Sequence, residues 1–269
     1  MTSEEMVSRV LYRDGLMLVI DKPAGTAVHR GSPNSKDRNK ASLEDYFDAL
    51  RFGLPRPPAL AHRLDRDTSG CLVLGRHRKA LAQLGKLFRN GAIDKTYWAV
   101  VEGVPDAAEG VIEFPLGRLD DRIGWWMKHD PNGQAAITKW KVLGRASPTG
   151  DGKMLTWLAL EPLTGRTHQL RVHCAEMGWP ILGDAIYGTA PRSGGPVLHL
   201  HAREVIVPLY KNRTPIRAVA PVPEHLRERL AACGWEGERD VLPPRVIPGP
   251  GEGRSPESII ATVQEKSEG

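Results

Sequence analysis

The stretch His62-Arg63-Leu64-Asp65-Arg66-Asp67-Thr68-Ser69-Gly70 leads directly into the apolar run Cys71-Leu72-Val73-Leu74. Its nine residues include one histidine, two arginines, two carboxylates and two hydroxyl groups. A turn that only reverses the chain needs Gly, Asn or Asp. A carboxylate flanked by cations and hydroxyl donors stays ionised and is suited to act as a nucleophile. The stretch therefore predicts a chemically active loop that enters a strand, with Asp65 as its candidate nucleophile.

Further motifs follow in a fixed order along the chain. Asp21-Lys22-Pro23-Ala24-Gly25 comes after the strand-like Leu16–Ile20. Lys95-Thr96-Tyr97-Trp98-Ala99-Val100-Val101-Glu102-Gly103 alternates like a strand, and Thr164-Gly165-Arg166-Thr167-His168-Gln169-Leu170-Arg171-Val172-His173 leads into a predicted helix. A shorter motif, Gly183-Asp184-Ala185-Ile186-Tyr187-Gly188, comes soon after it.

In this order the motifs resemble those of the RluA family of RNA pseudouridine synthases, over roughly residues 10 to 220. The resemblance implies an isomerase that converts specific uridines of RNA to pseudouridine. It also implies that Asp65 is the nucleophile, that Tyr97 stacks on the uracil, and that Arg166 is the cation paired with Asp65. Because the first motif begins by about residue 11, we expect the branch that lacks the accessory N-terminal RNA-binding domain.

The RNA contacts are predicted from residue chemistry within these motifs. A long planar cation such as Arg63 is suited to fill the gap that an extruded uridine leaves in a base stack. His62 and Thr68 are expected to order the loop or to contact the base, with Ser69 capping the turn into the strand. Basic residues elsewhere in the motifs are candidates for phosphate contacts, although each is equally compatible with solvated surface; these are Lys22, Arg171, His173 and Lys95.

The fold is predicted to be α+β, a single catalytic domain around a mixed, mainly antiparallel sheet, because strands outnumber helices and do not alternate regularly with them. Alternation predicts strands over 16–20, 71–74, 96–101, 136–143, 155–160 and 197–207. Helical spacing and end signals predict helices over 42–50, 79–88, 167–177 and 223–231. We expect the domain to cover residues 1–235 and a mobile, Pro- and Gly-rich tail to cover 236–269, with one short helical piece over 255–266.

Composition agrees with an RNA-binding enzyme without identifying one. The chain has 269 residues, a formal net charge of +5 and a sequence pI near 9.2, which suit a polyanionic partner. Its three cysteines are odd in number and widely spaced, which indicates a reducing compartment. The N-terminus lacks signal-peptide features, and no apolar stretch is long enough to span a bilayer. We expect a cytoplasmic monomer that processes transfer RNA or ribosomal RNA.

Pseudouridine formation involves no redox step and no phosphate cleavage, so the resemblance implies neither a cofactor nor a metal. The Asp65-Arg66-Asp67 spacing leaves a magnesium-dependent phosphotransferase as the rival enzyme class, and the basic surface leaves a non-catalytic RNA-binding protein. His199 and His201 lie on one strand face as in a metal site, but they lack matching ligands nearby. Trp125 and Trp126 are either a base-stacking patch or a hairpin tip folded on the core.

Overall fold

The computed structural model describes residues 1–30, 41–120, 126–148 and 152–238, together with the backbone of residues 245–246. Its helices are α1 (Ser3–Ser8), a 3₁₀ helix (Leu43–Leu50), α2 (Arg78–Arg89), α3 (Gln169–Glu176) and α4 (Glu224–Ala232). Its strands are β1 (Val10–Arg13), β2 (Met17–Lys22), β3 (Ala59–Leu60), β4 (Ser69–Gly75), β5 (Asp94–Glu102), β6 (Glu109–Ile112), β7 (Leu116–Arg118), β8 (Met127–His129), β9 (Thr138–Arg145), β10 (Leu155–Pro162), β11 (Leu200–Val207), β12 (Ile216–Val219) and β13 (Arg245–Val246).

Within the described ranges, a single 11-stranded sheet runs through the domain in the order β13-β1-β2-β4-β11-β5-β10-β9-β6. Strand β12 pairs with β11, and β3 pairs with β4. The β4·β11 and β1·β13 pairs are parallel, and the other pairs of this sheet are antiparallel. Strands β7 and β8 form a separate antiparallel hairpin. The prediction of an α+β domain around a mixed, mainly antiparallel sheet is confirmed.

The apolar run of β2 is continuous because both faces of the sheet are covered. Leu18 and Ile20 pack in the cluster that includes the 3₁₀ helix, whereas Met17 and Val19 pack in the cluster that includes Leu84 of α2. All four side chains are fully buried. A strand buried on both faces reads as an unbroken hydrophobic run, which explains why this strand is visible in the sequence.

The other half of the sheet is covered in the same way. Ala99 and Val101 of β5 pack in the cluster that contains Leu170 and Cys174 of α3, and Val100 packs in the cluster of α4. Successive side chains of a strand point to opposite faces, so Tyr97 lies on the α3 side with Ala99 and Val101. The sheet thereby directs Tyr97 toward the segment between β10 and α3.

The carboxyl-terminal segment departs from the predicted boundary at residue 235. Glu238 accepts a hydrogen bond from Arg203 (Nη2–Oε2 2.8 Å) and another from the backbone N–H of Val222. The Arg203 side chain is buried, so the carboxylate supplies the partner that a buried cation needs. Farther on, the backbone of β13 pairs in parallel with β1. The domain therefore extends to at least Glu238, and the short helix predicted over 255–266 lies outside the described residues.

Two general properties of the described chain bear on the earlier expectations. Cys71, Cys174 and Cys233 are buried free thiols. No helix in the described ranges combines the length and the apolar character needed to cross a membrane.

Candidate active site

The candidate active site is built on the loop that joins β3 to β4. Leu64 is buried in the core beside Leu72, which pins the middle of the loop to the sheet. The backbone N–H of Thr68 donates to the carbonyl of Asp65 at 3.2 Å and closes a turn. The side chain of Asp65 projects from this turn and remains 23% exposed. One carboxylate is thus held at the surface by a loop anchored on both sides.

Lys22 holds the same loop through hydrogen bonds from its buried ammonium group. Its side chain is completely buried, and its Nζ donates to the carbonyls of Pro23 (2.9 Å), Thr26 (2.8 Å) and Arg66 (2.8 Å). Burial lowers the pKa of Lys22 to about 8, against the opposing charges of Asp67 and Asp65. The prediction that Lys22 binds RNA phosphate is therefore wrong, because its ammonium is enclosed and its three donors are used inside the protein.

The first residues of β4 approach β11 closely. Gly70 has φ = 103° and lies so near Ala202 that a Cβ would overlap the Ala202 carbonyl. Beside it, Ser69 Oγ and His201 Nδ1 are 2.9 Å apart in the buried interior, and His201 Nε2 lies 3.3 Å from the Ala220 carbonyl. These contacts explain the Ser-Gly end of the motif as a structural joint between the loop and the sheet.

Among the described residues, two side chains form ion-pair contacts with Asp65, and both contacts are recorded at the same oxygen. Arg171 Nη1 is 3.7 Å from Asp65 Oδ2, and His168 Nε2 is 3.8 Å from it. Both distances exceed those of hydrogen bonds, so the carboxylate is oriented electrostatically rather than locked. Among the described residues, no hydrogen bond reaches Oδ1 of Asp65, and the recorded ion-pair contacts are at Oδ2.

Arg171 is itself held by a second carboxylate. Its Nε and Nη2 donate to Oδ2 and Oδ1 of Asp184, each at 2.8 Å, in a bidentate pair in which both side chains are buried. The backbone N–H groups of Ile186 and Tyr187 also donate to Asp184 Oδ1. Although burial raises the pKa of Asp184, the Arg171 guanidinium outweighs it and holds that pKa below the usual range. Arg171 was predicted as a candidate RNA contact, but it is a buried cation between two aspartates.

The predicted pairing of Arg166 with Asp65 is wrong. Arg166 is exposed, and its Nε donates to the carbonyl of Ala135 at 3.0 Å. The reason is positional: Arg166 lies on the outer loop before α3, whereas Arg171 lies in the first turn of that helix and faces inward. The cation beside Asp65 comes from the same motif, but five residues later.

The loop before α3 is shaped by Gln169 and His168. The buried Gln169 amide joins two segments: its Oε1 accepts from Thr164 Oγ1 (2.7 Å) and from the Arg166 N–H (3.0 Å), and its Nε2 donates to the Ile137 carbonyl (3.0 Å). His168 adopts the left-handed conformation, with φ = 53° and ψ = 17°. This conformation is uncommon for a residue with a side chain, and it turns the imidazole toward Asp65.

Asp65 and Tyr97 line one cleft of about 520 Å³, together with His62, Arg63, Thr68 and the segment from Pro162 to Arg171. Burial, and next to it the charge of Asp65, raises the pKa of Tyr97 above its ordinary value, so its hydroxyl stays protonated at neutral pH. Of the described residues that line the cleft, only Asp65 carries a carboxylate, while Arg63, Arg89, Lys95, Arg166 and Arg171 supply positive charge. The structure therefore brings the predicted nucleophile and aromatic residue together in a basic cleft.

The other residues that were predicted to contact RNA or to order the loop differ in their exposure to solvent. Arg63 is exposed at the cleft and donates from Nη2 to Thr167 Oγ1 at 2.8 Å. His62 accepts a hydrogen bond from the Val73 N–H at Nε2 (2.9 Å) and stacks on Phe88, and burial lowers its pKa to about 3. Thr68 is 2% exposed. His62 and Thr68 thus order the loop, and Arg63 is placed to contact a ligand.

Several other sequence features have structural partners. His173 is buried between Thr138 Oγ1 (2.9 Å) and the Phe114 carbonyl (3.0 Å), which removes it as a phosphate contact. His199 bonds the Val197 carbonyl, and in the described residues no cluster of side chains suits a metal ion. Trp126 is half-buried with the Arg192 guanidinium 4.6 Å above its ring, and Trp125 lies outside the described residues.

The site also contains residues that the sequence reasoning assigned no role. These are His168, Asp184 and Tyr187; Tyr187 Oη lies 2.8 Å from His168 Nδ1. The signal was present, because the Gly183–Gly188 motif carries both Asp184 and Tyr187. An arginine between Leu170 and Val172, two apolar helix residues, also requires a buried partner.

The chain is similar to known proteins in both sequence and fold. The sequence model of a family described as RNA pseudouridylate synthase matches residues 16–176. The chain is 41% identical over 224 residues to an uncharacterized RNA pseudouridine synthase of Zymomonas mobilis, covering 81% of this chain and 95% of that protein. It is 34% identical to the ribosomal large subunit pseudouridine synthase C of Vibrio cholerae, covering 84% of this chain and 69% of the relative.

Among solved structures, the fold is similar to that of human RNA pseudouridylate synthase domain containing 4. The TM-score is 0.68 at 28% sequence identity, and the match covers 86% of this chain and 95% of that one. The matched part of the sequence includes the loop of Asp65, strand β5 with Tyr97, and helix α3 with Arg171.

Proposed function

The chain belongs to the RNA pseudouridylate synthase family, and we propose that it isomerises uridines of transfer RNA or large-subunit ribosomal RNA through attack by the Asp65 carboxylate. Isomerase activity on RNA follows from the family. The identity of the nucleophile and of the RNA are the parts proposed here. The observation that carries the proposal is a half-exposed carboxylate, Asp65, in a basic cleft beside Tyr97 and within reach of the Arg171 cation.

The reaction breaks the bond between ribose C1′ and uracil N1 and forms a bond between C1′ and uracil C5. The C5 proton is lost to solvent, and N1 takes up a proton, so no oxidant or phosphoryl group is needed. Asp65 supplies the electron pair that holds the reacting fragment while the base turns, whether it attacks the ribose or the ring. The Arg171 guanidinium lies 3.7 Å from this carboxylate and orients it electrostatically.

Tyr97 is proposed to act on the base. Its ring lines the cleft beside Asp65, where an aromatic face offers a stacking surface for an extruded uracil. Its hydroxyl keeps its proton at neutral pH because burial and the Asp65 charge raise its pKa. A protonated hydroxyl in that place is suited to donate to, or relay a proton for, the turning base.

Arg63 is proposed to support base extrusion. A uridine in a stacked or paired segment must leave the stack before Asp65 can reach it. Arg63 is exposed two residues before Asp65, and its hydrogen bond to Thr167 holds the guanidinium group at the cleft. Arg89, Lys95 and Arg166 border the same cleft and are suited to phosphate contacts.

The choice of RNA rests on a relative's name. Because the similar Vibrio cholerae protein is named for the large ribosomal subunit, large-subunit ribosomal RNA is the first substrate to test, with transfer RNA second. We further propose that the protein works as a cytoplasmic monomer, in keeping with its reduced cysteines and net charge of +5. Cell fractionation and light scattering of the purified protein test these two points.

The rival phosphotransferase reading needs Asp65 and Asp67 to share one magnesium ion. Asp65 lines the cleft of Tyr97, whereas Asp67 lines a second cavity of about 690 Å³ that is bordered by Lys22 and Pro191. Two carboxylates that face different cavities are poorly arranged for one metal. This arrangement favours the isomerase.

The proposed function is tested by incubating the purified protein with cellular RNA tritiated at uracil C5. We expect tritium release that persists in chelator, on RNA folded in monovalent salt, and no phosphate release from phosphomonoesters. Mapping pseudouridine in cells with and without the protein then identifies the uridine. Phosphate release that requires magnesium, without tritium release, would establish the rival.

A further inference from the structure

The side chain of His168 connects Asp65 to a chain of hydrogen bonds that continues away from the cleft. His168 Nδ1 is 2.8 Å from Tyr187 Oη, and the same oxygen accepts a hydrogen bond from the backbone N–H of Met127 at 2.8 Å. On the other side of the ring, His168 Nε2 is 3.8 Å from Asp65 Oδ2. The imidazole therefore lies between a tyrosine hydroxyl and the proposed nucleophile.

The donors and acceptors in this chain favour one arrangement of protons. Because Tyr187 Oη already accepts from Met127, its own proton is best used by donating to His168 Nδ1. A neutral imidazole that accepts at Nδ1 carries its proton on Nε2. The Nε2–H group then points toward the Asp65 carboxylate. Burial lowers the pKa of His168, although the Asp65 charge opposes this, which keeps the ring neutral.

The charges around the imidazole come from three segments. Asp65 and Arg63 lie on the loop before β4, Arg171 lies on α3, and Asp184 lies on the loop after that helix. Arg171 already supplies a full positive charge to Asp65 Oδ2 at 3.7 Å. A second cation there would compete with the substrate for the carboxylate electrons, whereas a neutral N–H orients the carboxylate without that cost.

We propose that His168, held by Tyr187, is a positioning residue that keeps Asp65 Oδ2 against the protein and presents Oδ1 as the attacking oxygen. The recorded contact of each of these two side chains with the carboxylate is at Oδ2, and among the described residues no hydrogen bond reaches Oδ1. The left-handed backbone of His168 serves this purpose, since it aims the ring at Asp65 immediately before α3 begins. The inference rests on the proposed function, in which Asp65 is the nucleophile.

Two substitutions separate positioning from folding. Asn tolerates the left-handed conformation, and its side-chain oxygen is able to accept from Tyr187, so His168→Asn removes mainly the donor that faces Asp65. His168→Gln places an amide N–H near the former Nε2 position. We expect His168→Asn to lower kcat by roughly 10- to 100-fold through misplacement of Asp65, with RNA affinity and the unfolding midpoint retained. His168→Gln should recover a large part of that loss.

The matched control is His129→Asn on β8, an exposed histidine outside the cleft, for which kcat should stay at the wild-type value. In a second measurement, ¹⁵N spectra of the His168 imidazole, assigned by its absence in His168→Asn, should show a neutral ring protonated at Nε2 at pH 7. The signal is read on the wild-type protein, and the folded His168→Gln variant provides a second assignment if His168→Asn folds poorly. An imidazole protonated at Nδ1 or on both nitrogens, or a folded His168→Asn variant with wild-type kcat, would overturn the inference.

Asp65→Asn distinguishes a failure of the positioning role of His168 from a failure of Asp65 as the nucleophile. If Asp65→Asn is inactive while folded His168→Asn is fully active, only the positioning role fails. If Asp65→Asn keeps its turnover, the proposed nucleophile itself fails.

Discussion

Asp65 and Asp184 contact the same guanidinium in different ways. Asp184 is buried and meets Arg171 in a bidentate pair with both distances at 2.8 Å, while Asp65 is 23% exposed and lies 3.7 Å from it. Asp184 also accepts two backbone N–H groups, so its lone pairs are used within the protein. One aspartate therefore holds the cation and the other is oriented by it, which leaves the second available for chemistry.

The largest expected effect comes from the structural aspartate. Asp184→Asn leaves the buried Arg171 charge without its bidentate partner and should lower the free energy of unfolding by about 3–5 kcal/mol. Asp65→Asn, the matched substitution, loses only a longer contact and should cost less than about 1 kcal/mol. Urea denaturation of both variants measures the difference. Equal losses would show that the two aspartates do not differ in role.

Tyr97→Phe tests whether the Tyr97 hydroxyl takes part in the reaction. It retains the ring that is proposed to stack on uracil and removes only the hydroxyl, so RNA affinity and the unfolding midpoint should persist. Turnover should fall by about 10²-fold, which is the lower range for a general acid or base. Single-turnover tritium release beside an RNA-binding titration separates the two effects. A loss confined to affinity would contradict a role for the hydroxyl in proton transfer.

His62→Gln tests whether His62 is a buried, neutral side chain that supports the loop. Its pKa is lowered from 6.5 to about 3, so between these values the unfolded chain binds a proton that the folded protein excludes. Stability therefore falls as the pH is lowered from 6.5 toward 3, by up to about 1.4 kcal/mol per pH unit. The glutamine oxygen is able to accept from Val73 but does not titrate.

The wild-type protein should accordingly lose stability faster than His62→Gln between pH 6.5 and about 5, in parallel denaturation series. The buried His199 and His201 contribute the same sign in both proteins, so their effect cancels in the comparison. Parallel slopes would mean that His62 is accessible to protons in the folded state.

Arg166→Ala should have the smallest effect. The side chain is exposed and has a single carbonyl contact at 3.0 Å, so the free energy of unfolding should change by no more than about 0.5 kcal/mol. If Arg166 contacts phosphate, the slope of log affinity against log salt should decrease by roughly 0.7–0.9. A large loss of turnover at saturating RNA would instead return Arg166 to the catalytic assignment.

Much of the fold could be predicted from the sequence because its central elements are buried on two sides. Strand β4 and helix α2 extend only one or two residues beyond their predictions at each end, and α4 is shifted by one. The segment 42–50 was expected to be helical and forms a 3₁₀ helix, a distinction that apolar spacing does not contain. Short or half-exposed elements such as α1, β1 and the β7–β8 hairpin carry no strong periodicity and were missed.

The site could be predicted only in part. Asp65 and Tyr97 stand in separate motifs that the sheet brings into one cleft, and the resemblance placed both. The resemblance did not show which of Arg166 and Arg171 lies beside Asp65. That depends on the left-handed turn at His168 and on the first turn of α3. Lys22 likewise looks like a phosphate ligand in the sequence, and only the folded chain encloses it under three carbonyls.

The most direct test of Asp65 as the nucleophile compares Asp65→Asn with Asp67→Asn in tritium release from C5-labelled substrate RNA. The two residues lie in the same loop but line different cavities, so each controls for the other. We expect that folded, RNA-binding Asp65→Asn releases no tritium above background, while Asp67→Asn turns over at a rate within a few-fold of the wild type. Sustained turnover by Asp65→Asn would contradict it.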